Sequence, residues 1–189
     1  GVEFVPFMPV WIPFLNSRIN YRNHRKLVIV DGKKAYLGGL NIGDKYLGKN
    51  SYYGYWRDSL AEIEGQAVLS LQAIFLADWN FVTGKNLMQE TLLDKYLPTD
   101  ITVKDKFLPM QVVANGPDSD YASIMQLYFA AITYAKHNIR ISTPYLILNE
   151  TLLSALKIAA ISDVKIQIIM PDKPDHFLVF WASRSYFQQ

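Results

Sequence analysis

The spacing of apolar residues changes character several times along the chain. Lys26 to Val30 is a β-branched run and predicts a strand. Asp31-Gly32 is a hairpin turn signal, and Ala35 to Leu37 predicts the returning strand. Tyr46 to Tyr55, interrupted by Gly48 and Gly54, reads as a loop, and Ser59 to Ile63 as a third short strand. From Gln66 to Phe81 the pattern becomes helical: Val68, Leu71, Phe75 and Trp79 share a face, and Gly84 follows the end.

The second half alternates. Met110 to Ala114 predicts a strand. Asp118, Ser119 and Asp120 are candidate caps for a helix whose face holds Ile124, Leu127, Tyr128, Ala131 and Ala135. Ile139 to Ser142 predicts a strand, and Asn149 caps a helix facing inward through Leu152, Leu153 and Leu156. Val164 to Met170 predicts a further strand, and Pro174 to Phe187 a final helix. Strand alternating with helix predicts an α/β fold with parallel strands in this half. Residues 84–108 have mixed charge and no period, and read as a linker between residues 1–83 and 109–189.

Composition narrows the class. Half of the 189 residues are hydrophobic and 19% are charged, enough to bury a core. The absence of cysteine excludes disulfides, zinc–thiolate sites and a cysteine nucleophile. The longest apolar stretch, Phe4 to Leu15, contains Pro6, Pro9 and Pro13, and reads as an extended segment rather than a membrane-spanning helix. Its aromatics suit either a core or a lipid surface. No signal peptide is visible, and an opening Gly in place of Met suits a processed chain or a piece of a longer one.

Net charge is only +2, but Arg18, Arg22, Arg25, Lys26, Lys33 and Lys34 stand against the single acid Asp31 within one short stretch. Such a cluster suits a phosphate-bearing partner, or is a solvated charged loop. His24 stands just ahead of the first strand, two residues before Lys26. An imidazole beside an ammonium makes sense when an anion lies between them. The turn Gly38-Gly39-Leu40-Asn41 can return the Asn41 amide to the same place. Asn41 alone would also suit a left-handed turn, and His137 would suit a helix C-terminus. His176 is given no role.

Taken together, His24-x-Lys26-x4-Asp31 followed by Gly38-Gly39-x-Asn41 resembles the HxKxxxxD signature of the phospholipase D superfamily. The flanks are similar to bacterial cardiolipin synthases: Pro13 to Arg18, Tyr21 to Lys26, Gly39 to Asp44 and Tyr55 to Asp58. Ser142 to Tyr145 and Met170 to Asp175 resemble the opening half of that family's second domain. The resemblance covers nearly the whole chain. It implies phosphatidyl transfer between two phosphatidylglycerol molecules, giving cardiolipin and glycerol through a phosphohistidine. In its terms His24 is the nucleophile or general acid, with the nucleophile favoured. Lys26 and Asn41 hold phosphate oxygens, Asp58 orients the histidine, and Asp31 is mainly structural at the strand end. No cofactor or metal is implied, and no nucleic acid is expected.

The family carries two such motifs, and this chain has one. The resemblance therefore implies the back half of a first phospholipase D-like domain, residues 1–83, and the front half of a second, residues 109–189. Each would be a mixed sheet with helices on both faces. A second histidine would come from a homodimer or a complementing half. The parent protein is expected at the bacterial cell membrane, although this chain has no transmembrane segment. Another phospholipase D-type hydrolase, phosphatidyltransferase or nuclease, or an inactive phosphate- or membrane-binding fragment, are the alternatives. The order of the halves also allows one circularly permuted sheet joined through 84–108.

Overall fold

A computed structural model describes residues 1–9, 22–89, 95–101, 108–116, 119–173 and 175–188. Pro13 to Arg18, Tyr21, Asp118 and Pro174 lie outside the described residues. The chain divides into two compact units, Gly1–Pro117 and Asp118–Gln189.

The first unit is built on a three-stranded antiparallel sheet in chain order: β1 (Lys26–Val30), β2 (Lys34–Gly38) and β3 (Leu60–Glu64). The register pairs Ile29 with Ala35, and Ala35 with Ile63. Side chains alternate across the pleat, so these residues and Leu27 share one face. Helix α1 (Ala67–Thr83) covers that face with Val68 and Leu71, and Ala35 and Val68 are fully buried. The other face carries Val28, Val30 and Leu60, all exposed, with Lys34 bridging Glu62 and Glu64. The hydrogen bond to Lys34 holds the Glu62 carboxyl below its usual range, and the bond to Glu62 holds the Tyr36 hydroxyl above its own.

The hairpin tip explains Asp31-Gly32. Both residues take positive φ, 54° and 66°, and the Lys33 amide donates to the Val30 carbonyl at 3.0 Å. Primed hairpin turns require this conformation because it matches strand twist. A Cβ on Gly32 would lie 2.6 Å from Cδ of Pro98 and 3.0 Å from the Tyr96 carbonyl. Lys33 pairs with Asp100 at 2.6 Å and lowers its pKa. The tip thus docks on residues 96–100, within the expected linker, and this segment belongs to the first unit. Gly32→Ala is expected to destabilise the chain by about 2 kcal/mol, through left-handed strain and overpacking together. A urea unfolding midpoint measures it, with the exposed Thr99→Ala as the near-neutral comparison.

Met110 to Ala114 forms no strand, against the sequence expectation. Its apolar residue Val112 packs on the first unit's core, and Asn115 offers its carbonyl to Arg25. Those contacts hold the segment without a ladder.

The second unit runs α2 (Ser123–Tyr134), β4 (Asn138–Ser142), α3 (Glu150–Ile161), β5 (Lys165–Ile169) and α4 (Phe177–Arg184), the last followed by a short 3-10 turn, Ser185–Gln188. Strands β4 and β5 are parallel, as a strand–helix–strand crossover demands. Ile139, Ile141 and Ile166 pack against Ile132, Ala155, Leu156 and Ala159 from the two helices. Asn149 caps α3 by accepting from the Leu152 amide at 2.9 Å. Helix α2 begins later than its candidate caps, with Ala122 at the cap position and no side-chain bond there. His137 is not a helix cap either: Ala135 ends α2, and the His137 carbonyl accepts from Lys165 to open the parallel ladder.

The α/β class matches the reading of the sequence. Among the described residues the permuted single sheet does not form: β1–β3 pair among themselves, and β4 pairs with β5. No helix among the described residues is long and apolar enough to cross a membrane.

Candidate active site

Antiparallel order decides which motif residues meet. β1 enters, β2 leaves and β3 enters at one end of the first unit's sheet. Lys26 pairs with Gly38, and Gly38 with Leu60. His24 lies two residues before β1, Asn41 three after β2 and Asp58 two before β3. All four side-chain-bearing positions, with Lys26, therefore stand at the same end. Asp31 stands at the other end, about 16 Å along the strand at ~3.3 Å per residue, where it forms the hairpin turn.

The segment ahead of β1 is tied down around His24. The Asn23 side-chain oxygen accepts from the Arg25 amide at 2.9 Å, an Asx turn with His24 at its centre. The Asn23 amide group donates to Asp78 of α1 at 2.8 Å, and Arg25 meets the same carboxylate at 2.6 and 2.8 Å. Arg25 also donates to the Asn115 carbonyl at 3.2 Å. Lys26 Nζ donates to the His24 carbonyl at 2.9 Å, and the His24 side chain itself is exposed. The residues on either side of the imidazole are thus anchored, and the imidazole is presented to solvent.

Asp78 escaped the sequence reading because an acid on an amphipathic helix looks like a solvated charge. Asp78→Ala is expected to cost about 1 kcal/mol, since the pair is a quarter to a third exposed and partly screened. Its larger effect is freedom for His24. Amide exchange of residues 23–25 should rise well above that of β1, and unchanged exchange would show that the clamp is dispensable.

The glycine pair works through space rather than through φ. Neither Gly38 nor Gly39 has positive φ. A Cβ on Gly38 would run into the Ser59 carbonyl and Leu60 Cα, and one on Gly39 would overlap the Asp58 carboxylate. The Gly39 amide donates to the Ser59 carbonyl at 3.2 Å, and Asp58 Oδ1 accepts from the Ser59 amide at 2.7 Å. Asp58 is thus pressed against the turn that leads to Asn41, and makes no hydrogen bond to His24. Asn41 is not left-handed. Its amide donates to the Tyr46 hydroxyl at 2.6 Å, a partner hidden in the sequence because it lies within a loop of no period.

In the second unit the two matched stretches leave the C-terminal ends of β4 and β5. The Thr143 amide donates to the Ile169 carbonyl at 3.1 Å, and the Tyr145 hydroxyl donates to the Asp175 carboxylate. The His176 ring lies 6.2 Å from that of Tyr145. Among the described residues no group of three His, Asp or Glu side chains could hold a metal ion.

Residues 128–189 match the family described as cardiolipin synthase, PLD-like domain. A protein named cardiolipin synthase 2 from Bacillus cereus is 50% identical over 189 residues, covering all of this chain and 36% of the relative. A cardiolipin synthase from Geobacillus kaustophilus is 48% identical with 37% of it covered, and one from Clostridium perfringens 42% with 40% covered. No solved structure matches the chain. The chain spans little more than a third of the length of the first of these relatives, and over its full length it is similar to proteins named cardiolipin synthase.

Proposed function

We propose that the chain supplies one half of a phosphatidyltransferase site, acting on phosphatidylglycerol at a membrane surface to yield cardiolipin and glycerol. The observation that carries this reading is the common sheet end shared by His24, Lys26, Asn41 and Asp58. Similarity to proteins named cardiolipin synthase supports the choice of lipid.

In this reading the His24 imidazole attacks phosphorus and the bond from phosphorus to the leaving glycerol oxygen breaks, giving a phosphatidyl-histidine. A second histidine, from a second copy or a complementing half, protonates that oxygen. The hydroxyl of another phosphatidylglycerol then attacks, returns its proton to that second histidine and frees His24. Lys26 exchanges its bond to the His24 carbonyl for a phosphate oxygen. The Asn41 amide keeps one N–H on Tyr46 and turns the other to phosphate. Charge forming on the phosphoryl oxygens is met by these fixed donors. Asp58 orients the imidazole once substrate draws the end of the sheet together, as catalytic hydrogen bonds often tighten only on binding. Asp31 serves the hairpin. Residues 1–83 act as the back of one phospholipase D-like domain and 109–189 as the front of the next.

Covalent trapping tests the proposal. The chain is incubated with phosphatidylglycerol and quenched in base, which preserves acid-labile phosphohistidine, and its intact mass is measured. A phosphatidyl adduct is expected. Its absence, also after supplying a second copy of the motif in trans, would overturn the reading in favour of a module that binds without turnover.

A further inference from the structure

The loop between Asn41 and Asp58 has an ordered interior and an apolar exterior. Tyr46, Tyr53 and Trp56 pack edge to face, with centroids 5.2 and 5.4 Å apart. Lys45 Nζ lies 5.0 Å from the Tyr46 ring and 5.2 Å from the Trp56 ring. Asn50 accepts from the amides of Tyr52 and Tyr53, and the Gly54 amide returns to the Asn50 carbonyl. Tyr52 packs on Tyr53, with centroids 4.9 Å apart, yet three other large apolar side chains of the loop are exposed. Ile42 is fully exposed, Tyr55 86% exposed and Leu47 69% exposed. A loop that packs three rings while leaving these in water has a surface suited to something apolar. Lys45, Lys49 and Arg57 stand in the same stretch against the single acid Asp44, so the partner is apolar and anionic at once.

We propose that residues 42–57 form an interfacial platform that seats the active-site end of the sheet on an anionic lipid bilayer. The inference rests on the reading that His24 attacks a lipid phosphodiester, and it names the element that brings the two together. The geometry follows from the substrate. Pulling a two-chain lipid wholly into water would expose both acyl chains, so phosphorus must be reached while those chains stay in the membrane. The surface beside His24 must then lie at headgroup depth. The loop meets this need because it leaves β2 at Asn41 and returns at Asp58, both at the site's end of the sheet. Tyr55 suits the polar–apolar boundary, Ile42 and Leu47 the upper acyl region, and the cations the phosphate layer.

The lack of cysteine makes the test clean. A solvent-sensitive fluorophore is attached to Leu47→Cys, and for comparison to Thr99→Cys beside the hairpin tip, at the opposite end of the sheet. With phosphatidylglycerol vesicles the label at 47 should shift to the blue and the label at 99 should not. Phosphatidylcholine vesicles should give a much smaller response. The triple variant Ile42→Ser, Leu47→Ser, Tyr55→Ser should lose about tenfold or more in vesicle partitioning. It should still form the covalent adduct with dihexanoyl phosphatidylglycerol kept below its micelle concentration. His24→Ala should do the reverse, binding vesicles normally and forming no adduct. Three results would overturn the platform: native partitioning by the triple variant, a water-like label at 47 in vesicle-bound protein, or no partitioning by the native chain. Failure of the adduct with loop insertion intact would count against the catalytic reading alone.

Discussion

His24→Ala is expected to abolish the covalent phosphatidyl adduct and to lower lipid transfer by at least about 10³-fold in any assembly that supplies the second motif. The reason is local. The imidazole is exposed, and its neighbours are fixed through Asn23, Arg25 and Asp78 rather than through the ring. Lys26 bonds the His24 backbone carbonyl, which alanine retains. The substitution should therefore leave the melting temperature nearly unchanged while removing the reaction. A marked fall in stability would contradict the clamp described above. Peptide mapping of the native adduct adds the assignment of role: a phosphatidyl group on His24 identifies the nucleophile. An adduct found on the histidine supplied in trans, with His24 unmodified, would make His24 the general acid.

Much of this candidate site is legible in the sequence. The β-branched run and Asp31-Gly32 specify a hairpin by local chemistry, and Asn149 specifies a helix start in the same way. The spacing of His24, Lys26, Gly38, Gly39 and Asn41 is readable because a hairpin converts short sequence separation into proximity. What could not be read depends on contacts between distant residues. Asn23 and Arg25 meet Asp78 across 55 and 53 positions, and nothing in the helical pattern around Asp78 marks it. Gly38 and Gly39 have no positive φ and supply space instead, which becomes visible only when β3 is laid beside β2. Met110 to Ala114 has strand composition and no strand partner, so side-chain packing of Val112 decides its place. The 41–57 loop shows its aromatics in the sequence, but which of them pack and which face water is a tertiary fact.

The two adjacent glycines should fail in different ways. Gly38→Ala drives a Cβ into the backbone of Ser59 and Leu60, where the β2–β3 ladder runs. Backbone cannot swing aside as a side chain can, so a loss of about 3 kcal/mol is expected, with unfolding of the sheet end. The nearest obstacle to Gly39→Ala is the Asp58 carboxylate, a side-chain terminus held by the Ser59 amide. That group can rotate away, and a stability loss of about 1 kcal/mol suffices. The displacement should tell instead on chemistry. A misplacement of about 1 Å in a positioning group can cost about 10²-fold, and adduct formation by Gly39→Ala should fall on that scale. The pair Gly39→Ala with Asp58→Ala separates the two effects. Removing the carboxylate gives the new methyl its space, so urea stability should return toward the Asp58→Ala value with clear non-additivity. Adduct formation should not recover, because the space is restored and the charge is not. Recovery of both would mean that Gly39 matters only for packing and that Asp58 has no part in orienting His24.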